Sequence, residues 1–322
     1  MQLMRKCTSI PVPHVLGFCR TLDNTLRCPH IWLSFISGIS LYDFWFAKTP
    51  DMSEEDRHHC RTHVLNDVAS AMVQLSQFSF NKGGRLVFDS DGRPVVDRHR
   101  ELDIVKCDER LEQDNPDYMP AYFPSGPYKA AKEFYTSALN RQEPGSSEFL
   151  LGQRQLLQFF IDCMDDFFAN DRQSFVLTHP DFDIQNFLVS PKGDLVGIID
   201  WDGVGAWPKS LGNVRYPGWL TRDWDPGMYG YGSDGVHDSE MREDSPQTLA
   251  RYRKVYQDAI RDALGKHKIQ GYCQTYHTSA TLITENLYIA AKNPMGRGNI
   301  LRKIVQEIAK LVIVNANRAR GH

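Results

Sequence analysis

The sequence predicts an α+β fold, a strand-containing N-terminal part followed by a mostly helical remainder. Three observations carry this. Long stretches repeat apolar residues at helical spacing, two apolar runs fold back on themselves around turn tetrapeptides, and a polar motif follows the apolar run FVL (175–177). With 322 residues, 41% hydrophobic and 24% charged, the chain has the composition of a soluble globular protein with a sizeable core.

In chain order, IPVP (10–13) is extended, because each proline pushes its predecessor out of the helical region. HIWLSFI (30–36) reads as a buried strand ended by Ser37-Gly38. Residues 53–80 read as helix: SEED places acids in the first turn, and Val64, Val68, Met72 and Leu75 form a stripe. GGRLVFDSDGRPVV (83–96) is a hairpin around DSDG. Polar residues 97–127 read as a long loop, 128–141 as helix and 141–148 as a linker. In the helix 148–170, Leu156, Phe159, Phe160, Cys163, Met164, Phe167 and Phe168 are assigned to the core face. A loop-rich stretch then runs to helices near 246–264, 271–291 and 298–314.

The formal net charge of −3 argues against a broad nucleic-acid surface, and the basic clusters such as RHR (98–100) read as solvated faces. Seven cysteines, an odd number without a CxxC pair, suggest reduced thiols rather than a disulfide framework or zinc site. The apolar segment 31–47 contains serines, Gly38 and Asp43 and falls short of the roughly 20 apolar residues of a membrane span. MQLMRKCTSIPVP lacks the apolar core of a secretory signal. The expectation is a cytoplasmic protein that binds neither membrane nor nucleic acid.

The chemistry sits in THPDFDIQN (178–186) and its continuation FLVSPKGDLVGIIDWD (187–202). PKGD is a turn between FLV and LVGII, so the second segment is a hairpin whose strands carry Asn186 at one start and Asp200 at the other end. In an antiparallel hairpin these lie together, within reach of a shared ion, and Asp181 lies in the loop before them. Phosphoryl transfer needs such a set: a base to orient a hydroxyl, and oxygen ligands for magnesium. H-x-D-x-x-x-x-N followed by a strand-ending Asp is kinase catalytic-loop logic. It makes Asp181 the base and Asn186 and Asp200 the metal ligands. His179 is a brace; Asp183 reads as a solvated loop carboxylate, and Asp202 either as another or as a further carboxylate facing the same cavity. A metallohydrolase using His179, Asp181 and Asp183 is a weaker rival, because further histidines are not in strand-end context.

LTHPDFDIQNFLV and GIIDWD resemble the aminoglycoside phosphotransferase family, whose loop usually reads HGDLxxxN before an IDW or IDF segment. TSIPVPHV, SFISGISL (34–41) and VRYPGWLTRDWDP (214–226) resemble its fungal-type members. The resemblance implies a protein-kinase-like fold, ATP and Mg2+ as cofactors and a small hydroxylated substrate. Ser34, Phe35 and Ile36 become the hinge where backbone groups receive adenine. The chain divides into 1–37, a remnant of the N-lobe and hinge, and 38–322, the helical C-lobe with the catalytic hairpin. Two departures stand out. Pro180 replaces the family's usual glycine. The glycine-rich loop, strand lysine and helix glutamate that precede the IPVP-like segment are missing ahead of Thr8, so the expected N-lobe is truncated. GYGSDG (230–235) has GxGxxG spacing without the strand–turn–helix context of a phosphate loop and reads as a surface loop. An active small-molecule kinase and a catalytically inactive or truncated binding protein of the same family therefore both stay open.

Overall fold

The computed structural model describes residues 1–112, 121–143, 145–164, 175–224, 229–231, 242–269 and 278–320. Its strands are β1 (Val15–Cys19), β2 (His30–Leu33), β3 (Ile39–Ser40), β4 (Ser79–Phe80), β5 (Gly84–Phe88) and β6 (Pro94–Asp97). They continue with β7 (His99–Leu102), β8 (Tyr122–Ser125), β9 (Phe175–Thr178), β10 (Phe187–Val189), β11 (Leu195–Ile198) and β12 (Gly205–Pro208). β1 and β2 form a ribbon, as do β7 and β8. Three strands order as β11-β10-β3 and five as β4-β9-β12-β5-β6. Every pairing is antiparallel.

The helix Glu54–Met72 starts where the sequence placed it. The Ser53 hydroxyl accepts from the Asp56 N–H at 3.1 Å, and three acids occupy the first turn. Val64, Val68 and Met72 are buried as expected, with Leu65 beside them. The α-helix stops at Met72. A 3-10 turn Val73–Gln77 keeps Leu75 buried, and the short strand β4 follows. The helix Glu54–Met72 packs against the helix Pro246–Lys266, whose Ser245 cap accepts from the Thr248 N–H at 3.2 Å. Leu249, Tyr252, Tyr256 and Ile260 complete this core from the second helix. Full burial of one such aliphatic side chain is worth about 1.5–3 kcal/mol. A second apolar cluster joins the helices Ala131–Asn140, Glu148–Asp162 and Thr278–Lys292.

Several expectations are corrected. The segment 30–36 is strand only to Leu33, and Ile31, Trp32 and Leu33 are exposed. β1, its partner, was not foreseen, because VLGFC carries a central glycine that weakens the strand signal. Residues 97–127 are not simply loop: β7 pairs with β8 and a helix, Ile104–Glu112, lies between them. In the helix Glu148–Asp162 the buried face carries Leu157 and Ile161, while Leu156 and Phe159 are 38% and 58% exposed. The pattern LLQFFID offers two apolar stripes about 100° apart, and tertiary contact chose the one adjoining Arg154. There Arg154 Nη1 donates to the Leu139 carbonyl at 2.7 Å, joining the Gln142 N–H on the same helix end. Phe167, Phe168 and most of GYGSDG lie outside the described residues. Among the described residues no helix is long and apolar enough to cross a membrane.

Candidate active site

Two loops hang from one edge of the paired sheets. The loop 179–186 runs from β9 to β10, and the loop 199–204 runs from β11 to β12. β10 pairs with β11 through Phe187 and Ile198, and β9 pairs with β12 through Thr178 and Gly205. The two registers therefore bracket both loops and hold them side by side. Three contacts fasten them. His179 Nε2 meets the Ile199 carbonyl at 2.9 Å, the His179 ring packs edge-on against Trp201 at 4.6 Å, and Pro180 faces Gly203.

His179 is buried, and its ring links the two loops. A carbonyl opposite Nε2 requires that nitrogen to carry the proton, so it donates and Nδ1 is bare. Nδ1 is buried without a partner, so a second proton there would be unpaired. Burial accordingly holds the imidazole below its usual pKa.

Asp181 is exposed, and its Oδ2 accepts from Gln185 Nε2 at 3.0 Å and from Asn186 Nδ2 at 2.8 Å. Asn186 Nδ2 also donates to the Asp181 carbonyl at 2.8 Å. These bonds fix the amide of Asn186, because the flipped form would set its oxygen against a carboxylate. Asn186 Oδ1 is thereby turned away from Asp181 and takes no hydrogen bond among the described residues. Asn186 closes the 3-10 turn Ile184–Asn186 rather than opening β10. Its carbonyl accepts from the Ile199 N–H at 2.9 Å, which places Asp200 one residue beyond the register partner. Asp200 lies past the end of β11 in the left-handed region, φ 58°, and is exposed. Aspartate tolerates that backbone better than most residues. Asp202 is exposed on the same loop.

Asp183 is structural. Its Oδ1 caps the 3-10 turn through the Ile184 N–H at 2.8 Å, and its Oδ2 accepts from Arg222 at 3.1 Å. Burial pushes its carboxyl pKa up, with the Arg222 charge opposing. Gly218 lies so close that a Cβ there would sit 2.9 Å from the Asp183 carboxyl carbon. Arg215 was also missed: it is buried, reaches the His179 carbonyl at 3.5 Å and faces the half-buried Glu285 at 3.5 Å. Both arginines fall in VRYPGWLTRDWDP, which carried family likeness but no chemical spacing signal.

The segment Ser34–Ile36 passes over the same hairpin. Ile36 packs on Gly197, where a Cβ would meet its side chain at 2.9 Å, and β3 pairs with β10 just downstream. Ser34 is tied to His14 by its N–H at 2.8 Å and its hydroxyl at 2.9 Å. Phe35 is 91% exposed, and among the described residues the backbone of Phe35 and Ile36 makes no hydrogen bond.

Magnesium keeps waters and takes one or two protein carboxylates alongside phosphate oxygens. A solvent-facing carboxylate and an amide oxygen whose direction is fixed fit that demand. Among the described residues no cluster of three His, Cys, Asp or Glu could hold a metal by itself.

The sequence model of the phosphotransferase enzyme family matches residues 1–207. Two curated relatives from Candida albicans, each named altered inheritance of mitochondria protein 9, mitochondrial, match short stretches. They are 32% identical over 80 residues (strain WO-1) and 33% over 81 (strain SC5314), in each case 25% of this chain and 12% of the relative. A solved aminoglycoside phosphotransferase APH(4)-Ia, in ternary complex with AMP-PNP and hygromycin B, superposes with a TM-score of 0.48. It is 13% identical and covered over 80% of its length by 95% of this chain. A glucosamine kinase superposes with a TM-score of 0.49 at 11% identity, covering 98% of this chain and 70% of that one.

Proposed function

The chain belongs to the phosphotransferase enzyme family, and from that premise we propose that it transfers the terminal phosphoryl group of ATP, with magnesium, to a hydroxyl of a small molecule. The observation that carries the reading is the fixed amide of Asn186 beside the exposed carboxylates of Asp181 and Asp200, on two loops bracketed by paired strands. Asp181 orients the acceptor hydroxyl. Its Oδ2 is engaged by two amides, which leaves Oδ1 to take the hydroxyl proton as the new oxygen–phosphorus bond forms and the bond from the terminal phosphorus to its bridging oxygen breaks, releasing ADP. Asn186 Oδ1 and Asp200 would hold the metal, which when bound offsets the charge on the phosphate oxygens. The unengaged backbone of Phe35 and Ile36 supports adenine binding beside them.

The test is calorimetric titration with ATP, with and without magnesium, followed by turnover with a panel of hydroxylated metabolites. Asp200→Asn removes the charge and keeps a side chain suited to the left-handed backbone, so it should abolish the magnesium-dependent part of binding. Asp181→Asn should keep binding and lower turnover by about 10²–10⁴-fold. Undiminished turnover in Asp181→Asn would remove it from the role of base. Magnesium-dependent binding without any transfer would favour the non-catalytic member of the family.

A further inference from the structure

The loop 179–186 leaves two polar side chains in solvent, Asp181 and Gln185, while His179, Phe182, Ile184 and Asn186 around them are buried. The backbone beneath Gln185 is held from both sides. The Gly218 N–H donates to the Phe182 carbonyl at 2.9 Å, and the Asn186 N–H donates to the Asp183 carbonyl at 3.1 Å. From this anchored turn Gln185 reaches back to Asp181, its Nε2 standing 3.0 Å from Oδ2. Among the described residues this is the side chain's one hydrogen bond. A flipped amide would set oxygen against a carboxylate, so the donor faces Asp181.

The last torsion of an aspartate is broad and roughly two-fold, so an exposed carboxylate shows either oxygen to a reacting group unless its plane is fixed. Asn186 alone does not fix it. One of its two amide protons goes to the Asp181 carbonyl at 2.8 Å, which leaves a single proton for Oδ2, also at 2.8 Å. A carboxylate held by one donor swings about that contact. A second donor from another residue holds the plane and makes the two oxygens inequivalent, and Gln185 supplies it. Gln185 has no further task, whereas Asn186 Oδ1 is assigned to the metal.

We infer that Gln185 is a positioning residue for the base: with Asn186 it pins Oδ2 of Asp181 and so presents Oδ1 to the acceptor hydroxyl. This rests on the reading of Asp181 as the base of a phosphotransferase. Hydrogen bonds to an ionised acceptor are the stronger kind, but this one is open to solvent and adds little to the stability of the fold. Its effect falls on alignment, where a misplacement of about 1 Å can cost about 10²-fold in rate. Gln185 makes no hydrogen bond to Asn186 or Asp200 among the described residues, so nucleotide affinity should not depend on it.

The experiment compares wild type, Gln185→Met and Gln185→Glu in ADP release from ATP and magnesium, with glycerol in excess as the hydroxyl probe. Gln185→Met keeps the length of the side chain and loses the donor. Gln185→Glu keeps the shape and sets a second carboxylate against the first. The kcat should fall about three- to tenfold in Gln185→Met and tenfold or more in Gln185→Glu, with KM for ATP within about twofold of wild type in Gln185→Met. A residue that only fills space would leave Gln185→Glu at the wild-type rate. A second measurement needs no turnover. In the full chain labelled with 15N-glutamine, the Gln185 side-chain amide signal, assigned by its absence from Gln185→Met, should move in Asp181→Ala. An unmoved signal would mean that the bond to Asp181 is not made in solution, and would overturn the inference by itself. Wild-type kcat in both Gln185 variants would overturn it too, while leaving the phosphotransferase reading intact. No ADP release from the wild type, with the amide signal still responding to Asp181→Ala, would instead sink that reading, and the positioning role with it.

Discussion

At Asp200 and His179, backbone conformation and protonation are set by what each residue must do for its neighbours. A left-handed backbone at a non-glycine residue costs roughly 1–2 kcal/mol, and Asp200 sits there at φ 58°. Asp200→Gly should therefore hold or raise the melting temperature while losing magnesium-dependent nucleotide binding. A β-branched Asp200→Val should lower both. His179 and His99 share another property: each is buried with one ring nitrogen unpartnered. Burial lowers the pKa of both below the usual 6.5. Below that value the unfolded chain binds protons that the folded chain resists, so stability falls as pH drops through 6.5 towards the folded values. Each group contributes a slope of up to about 1.4 kcal/mol per pH unit in that window. Denaturant melts from pH 7.5 to 5 should show the loss, and His99→Phe, replacing one ring by another in the nest of Tyr128, Phe134 and Trp207, should make it shallower. A flat profile would mean that the buried rings are not neutral.

Among the elements, the helix Glu148–Asp162 shows where periodicity stops being informative. Leu156 and Leu157 are equally apolar and adjacent, yet one is 38% exposed and the other fully buried. Truncating Leu157 or Ile161 to Ala should cost about 2–5 kcal/mol in urea unfolding. Leu156→Ser and Phe159→Ser should stay within about 0.5 kcal/mol of wild type. The reverse ranking would restore the face that the sequence suggested. The helix Glu54–Met72 is the opposite case, since its cap, acidic first turn and stripe of Val64, Val68 and Met72 all agreed with one another. Where cap and periodicity concur, the structure followed them.

Across the whole molecule, Arg61 joins segments far apart in the chain. It is buried, stacks on Trp45 at 4.4 Å, donates to the Trp45 carbonyl at 2.8 Å and to Thr49 at 3.1 Å, and pairs with Asp244 at 2.9 Å. Asp244→Ala would leave a buried cation without its anion and should cost about 3–5 kcal/mol. Replacing the pair together, Arg61→Met with Asp244→Leu, should recover a large part of that loss. A double variant no better than the single one would show that the bonds to Trp45 and Thr49, not the ion pair, make Arg61 indispensable.

The sequence by itself determined the α+β class, the start of the helix Glu54–Met72, both hairpins and the family, because caps, turn tetrapeptides and motif spacing are local and leave a direct trace. It also named His179, Asp181, Asn186, Asp200 and Asp202, and it set Asn186 and Asp200 at one end of a hairpin. Tertiary structure decided what no local pattern records. It gave Asp183 a capping role against Gly218 and Arg222, set Arg215 behind His179, chose one apolar face of the helix Glu148–Asp162, and paired Arg61 with Asp244. Those outcomes depend on pairing between β9 and β12 and packing between helices about 190 residues apart. Long-range contacts of that kind arise when burial and charge compensation are satisfied over the whole chain at once.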